Sequence, residues 1–148
     1  MTQQPPQILT VVMADDDPLE HKLVQRAWTK ARICNPLFFV NDGQELMEYL
    51  RGTGRYVSQP PPKPGLILLD LNMPVMDGRE VIEAIHADDD LNTIPLIVLT
   101  GSEVEQDILK SYELGVNSFI TKPITFENLV LVLHDLSRYW FELVRLPT

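Results

Sequence analysis

The chain has 148 residues, a formal net charge of −9 and a sequence pI near 4.7, a length that suits one domain able to bury about two-thirds of its unfolded surface without metals or disulfides. The acidic balance excludes nucleic-acid binding by the chain alone, since that affinity rests on Lys and Arg, and no apolar run approaches the roughly 20 residues that cross a bilayer. The single cysteine, Cys34, cannot close an internal disulfide, and the N-terminus lacks the basic start and apolar stretch of a signal peptide, so a cytoplasmic protein is expected.

After the polar start MTQQPPQ, the run ILTVVMA reads as a first strand ending at Asp15-Asp16. Asp17 suits an N-cap, Pro18 the first helical position, and Glu20 a capping box, so a helix is expected from there to about Arg32. A short second strand follows at 37–40, a turn at Asp42-Gly43 and a helix from Gln44 to Leu50. The stretch GTGRYVSQPPPKP, residues 52–64, holds four prolines and two glycines and is expected to lack regular structure. Strand three is expected at 66–69, then the loop DLNMPVMDG and a helix to about Ala87, then strand four at 96–99. Ser102 and Glu105 form another capping box, opening a helix that Gly115 can end. Strand five is expected at 118–121, and Thr125 caps a last helix with Leu129, Val132, Leu133, Leu136, Trp140 and Leu143 at a 3.6-residue period.

Strands with continuous apolar runs are buried on both faces, and helices between them imply parallel pairing. An α/β fold with helices on both faces of a parallel sheet puts all carboxyl strand ends on one edge, where such folds bind ligands. Asp15-Asp16, Asp70, Thr100 and Lys122 each stand where such a run stops. Taken singly they have plainer readings: an Asp pair can be a helix cap, Asp70 a turn residue, Thr100 and Lys122 solvated. Taken together they place three carboxylates, a hydroxyl and an ammonium in one crevice. Crowded carboxylates repel and call for a cation, and an all-oxygen ligand set favours Mg²⁺. A carboxylate beside a metal and a lysine suits phosphoryl transfer, with Asp as the nucleophile. His21, His86 and His134 are scattered on helices and read as surface residues.

These motifs resemble the receiver domains of bacterial two-component response regulators over about residues 8–136. Asp15-Asp16 look like the family's acidic pair, and Asp70 in LDLNMPVMDG looks like its phospho-accepting aspartate. Thr100 looks like the switch threonine, Phe119 falls at the aromatic switch position, and Lys122-Pro123 look like the family's lysine and proline. The resemblance implies a flavodoxin-like, doubly wound five-stranded sheet of order 2-1-3-4-5 and a cis bond before Pro123. It also implies direct Mg²⁺ ligands in Asp16 and Asp70, Asp15 acting through water, the main-chain carbonyl of Asn72 completing the site, and Thr100 and Lys122 contacting the phosphoryl oxygens. The implied partner is a sensor histidine kinase, and the implied role a phosphoacceptor rather than an enzyme with a separate substrate.

The whole chain is expected to form a single, stand-alone receiver, with 137–148 as a helix extension and tail. That tail resembles those of response regulators that partner bacterial phytochromes. Phe126, Val130, Phe141 and Val144 form a second apolar flank on the last helix, and with Leu146 they predict a homodimer through that helix and tail. Two competitors are a Mg²⁺-dependent aspartyl-phosphate phosphatase and a non-phosphorylated pseudo-receiver. The first needs an acid where Asn72 stands, and the second leaves the filled set of acidic and basic positions without a purpose.

Overall fold

The computed structural model describes residues 9–73, 75–111, 115–122 and 124–138. The elements alternate: β1 (Val11–Ala14), α1 (Pro18–Lys30), β2 (Leu37–Val40), α2 (Gly43–Arg51), β3 (Leu66–Asp70), α3 (Gly78–His86), β4 (Leu96–Thr100), α4 (Glu103–Ser111), β5 (Ser118–Thr121) and α5 (Phe126–Leu136). All strand pairs are parallel and the order is β2-β1-β3-β4-β5, the doubly wound sheet that the resemblance implies.

Strand alternation divides the core in two, because successive side chains point to opposite faces. Val11, Met13, Leu66, Leu68, Ile97 and Leu99 pack with Val24 and Trp28 of α1 and Leu129 and Leu133 of α5. Val12, Ala14, Ile67, Leu69, Leu96 and Val98 pack on the other face with Leu46, Val81, Ile82 and Leu109, from α2, α3 and α4. All five residues of β3 and of β4 are buried, which explains why their runs are continuously apolar rather than alternating.

Local chemistry sets the helix starts. The side chains of Asp17, Asp42, Asp77 and Thr125 accept from the backbone N–H groups of Leu19, Glu45, Glu80 and Asn128, each satisfying a donor that has no intrahelical partner. Two expectations change. The capping box at α1 does not close: Asp15 Oδ1, not Glu20, accepts from the Asp17 N–H, at 2.9 Å. The Pro-rich loop contains a 3-10 turn at Gly54–Tyr56. It is anchored by Tyr56, whose hydroxyl donates to Glu45 Oε2 at 2.7 Å, and by Arg55, whose Nε donates to Glu48 Oε1 at 2.9 Å. Pro123, the end of α4 before Gly115, and the tail from 139 onward lie outside the described residues, and with them Trp140, Phe141, Leu143, Val144 and Leu146.

Candidate functional site

Register brings the strand ends to one level. Ala14 pairs with Leu69, Asp70 with Leu99, and Thr100 with Thr121, so the residues that follow emerge side by side on one edge. The ladder continues just past the strands: Asp15 N–H donates to the Val40 carbonyl (3.1 Å), Leu71 N–H to that of Leu99 (3.1 Å), and Lys122 N–H to that of Thr100 (2.8 Å). Three of the predicted residues are buried, with Asp15 0%, Asp70 5% and Thr100 1% exposed. The two ends of the loop after β3 are drawn together, because a Cβ at Gly78 would stand 2.6 Å from the Leu71 Cα and the Gly78 N–H donates to the Leu71 carbonyl at 3.0 Å.

Lys122 Nζ reaches into the crevice and binds two carboxylates, Glu20 Oε1 at 2.7 Å and Asp70 Oδ2 at 3.2 Å. The other oxygen of Asp70 accepts from the Asn72 N–H at 3.1 Å. Oxygens of Asp15, Glu20 and Asp70 all lie within 4.8 Å of one another. Asp15 Oδ2 is buried and has no hydrogen-bond partner among the described residues. An unpaired buried carboxylate oxygen beside two more carboxylates is the donor set that a hard divalent cation needs, so the residues present fit such an ion.

The charges respond to this crowding. Burial, then Glu20 and Asp70, push the Asp15 carboxyl from 3.8 up to about 8, against the lowering pull of the Asp17 N–H. Burial also raises Asp70, with the Asn72 N–H and Lys122 offsetting part of the effect. For Lys122, burial favours the neutral amine, but Glu20 and Asp70 outweigh it and the ammonium is held above its usual range. Burial would raise Glu20, whereas its contacts with Asp15 and Lys122 bring it below the usual carboxylate range. Each direction follows from desolvation opposed by a named partner.

The sequence-predicted residues are thus partly assembled. Asp70 and Lys122 meet directly, and Asp15 has an oxygen within 4.8 Å of one of Asp70. Asp16 is exposed and stands outside the three-carboxylate group. Asn72 is exposed and joins through its backbone. Thr100 is aimed elsewhere: its hydroxyl donates to Glu105 Oε2 at 2.9 Å and accepts from the Ser102 N–H at 3.2 Å. Phe119 is half-buried against the α2–α4 face, with Lys110 Nζ 5.5 Å from its ring centroid. His21 is no mere surface residue, since its Nε2 lies 2.5 Å from the Asp15 carbonyl and its ring stacks on Phe39 at 4.6 Å. Glu20 is the residue that sequence reasoning missed. It was visible only as a capping acid, although the first turn of a helix leaving β1 is well placed to lean over the strand ends.

Comparison with known proteins agrees with this geometry. Residues 11–134 match the family model described as the response regulator receiver domain. The chain is 38% identical over 143 residues to response regulator Rcp1 of Synechocystis sp., covering 97% of this chain and 95% of that protein. Among solved structures, the phosphorylated cyanobacterial phytochrome response regulator RcpA is 36% identical, with a TM-score of 0.81 over 96% of this chain and 100% of the other. The Mn²⁺-bound form of Rcp1 is 37% identical, with a TM-score of 0.79 over 95% of this chain and 99% of the other. With the strand order, the crevice and the matched span in agreement, the chain belongs to the response regulator receiver domain family, whose members work in two-component signalling with sensor histidine kinases.

Proposed function

We propose that this chain is a single-domain cytoplasmic response regulator that takes a phosphoryl group from a sensor kinase histidine onto Asp70 in a Mg²⁺-dependent reaction. The observation that carries this reading is Asp70 itself. It is a buried carboxylate at the end of β3, held between the Asn72 N–H and the Lys122 ammonium with two more carboxylates beside it. Asp15, Asp16, Asp70 and the Asn72 carbonyl would hold Mg²⁺, which when bound supplies positive charge to offset the carboxylates and the incoming phosphoryl oxygens.

An Asp70 oxygen attacks phosphorus and forms the acyl phosphate O–P bond. The P–N bond to the kinase imidazole breaks, and its electron pair stays on nitrogen. Lys122 neutralises charge on the transferred oxygens, and the Thr100 hydroxyl donates to one of them after leaving Glu105. Phe119 then packs inward, a two-state change biased by new charge. The chain modifies only itself and turns over no separate substrate. The phosphorylated state of RcpA and the Mn²⁺ in Rcp1 support both parts of this reading. The same likeness points to a phytochrome as the cognate kinase. A homodimer through α5 and the tail completes the proposal, supported by Leu131, which stands 62% exposed on α5.

Replacing Asp70 tests the assignment. With Mg²⁺ and acetyl phosphate the parent gains one hydroxylamine-labile phosphoryl group, and Asp70→Asn, lacking the nucleophilic carboxylate, gains none. Equal and equally labile labelling of the variant would place the acceptor elsewhere.

A further inference from the structure

Lys122 lies closer to Glu20 (2.7 Å) than to the acceptor Asp70 (3.2 Å), and Glu20 comes from α1, an element that the mechanism above does not use. An ammonium has three N–H donors and no acceptor, and this one contacts carboxylates from two different elements. Two carboxylates therefore share it, Glu20 at the shorter distance. The Lys122 side chain is 24% exposed, Glu20 29% and Asp70 7%, so these ion pairs are less screened than a surface pair would be.

We propose that Glu20 is a positioning residue that shares Lys122 with Asp70 in the unphosphorylated protein, loosening the ammonium's hold on Asp70 Oδ2 so that a divalent cation can take its place. If Glu20 loses its charge, Lys122 settles wholly on Asp70, and the ammonium and the cation compete for one carboxylate. Once Asp70 carries a phosphoryl group, the balance reverses, because the new anionic oxygens outbid Glu20 for the lysine. Glu20 therefore favours the metal-loaded, unphosphorylated state. This rests on the proposed role of Asp70 and names a residue that tunes it.

The test is a double-mutant cycle read by calorimetric titration of Mg²⁺ into the full chain. Glu20→Gln should weaken Mg²⁺ binding roughly tenfold in the parent background, the scale seen when a group supporting a metal ligand is lost. In the Lys122→Ala background the same substitution should cost less than about threefold, because the residue through which it acts is gone. Equal losses in both backgrounds would mean that Glu20 acts by direct ligation or by its charge alone, and would overturn the proposal. No loss in the parent background would overturn it too. The titration needs no phosphodonor, so failure of acetyl phosphate to label Asp70 would defeat the functional reading without deciding this cycle.

Discussion

Asp15 shows how a single residue can be costly to the fold and needed by the site. Its carboxyl titrates near 3.8 when free and at about 8 in the folded chain, so the folded state holds the proton more tightly. Stability from this group is complete below the unfolded value and drains away as pH rises toward about 8. In metal-free buffer at about pH 8, Asp15→Asn should therefore raise stability by about 1–3 kcal/mol, with a smaller gain at about pH 5. The substitution preserves shape, and Asn can still accept from the Asp17 N–H. Thermal unfolding in chelator across that pH range checks this; a variant no more stable than the parent at the higher pH would show that the site stores no such repulsion. At this scale the acids at strand ends were legible, because a polar residue ending a buried run announces itself. Glu20 was not, since its partner Lys122 is far along the chain and meets it only after the sheet has formed.

Among the elements, α4 is tied to the site through Thr100. Ser102 Oγ accepts from the Glu105 N–H at 3.2 Å, half of the expected capping box. The other half is diverted: Glu105 accepts from the Thr100 hydroxyl, and Thr100 in turn accepts from the Ser102 N–H. Thr100 is thus built into the cap of α4, and any pull on its hydroxyl toward Asp70 loosens the start of that helix. Glu105→Ala should free the hydroxyl and destabilise the first turn by about 1 kcal/mol, the usual net contribution of one hydrogen bond. Hydrogen exchange of the amides in 103–107 should speed up in this variant, and also in the parent on phosphorylation. If Glu105→Ala left their exchange unchanged, the cap would not be coupled to Thr100. Element types were readable because strand runs, Asp and Thr caps and the 3.6-residue stripe of α5 are local signals. Where Thr100 points was not, because a rotamer choice between two polar neighbours depends on their folded positions.

At the scale of the whole molecule, the sheet order could be read from resemblance, and register did the rest by carrying four strand ends to one level. Self-association is less plainly written. Phe126 and Val130, expected on a free second flank, are packed against the α1 side of the core, and Phe126 lies under Arg26, whose Cζ is 5.6 Å from the ring centroid. Leu131 remains outward. Light scattering at tens of micromolar should report a dimer for the full chain and a shift toward monomer for Leu131→Glu, since charge in an apolar contact is strongly disfavoured. A monomeric parent, phosphorylated or not, would refute the dimer.

As proposed, the carboxyl edge of this sheet is a phosphoacceptor that works only with a divalent cation. Intact mass measured after acetyl phosphate treatment, in a series from excess chelator to excess Mg²⁺, tests it most directly. A metal-dependent acceptor should give no phosphoryl adduct in chelator and one adduct per chain that rises with Mg²⁺ to saturation. An adduct formed equally well in chelator, or none at saturating Mg²⁺, would contradict it.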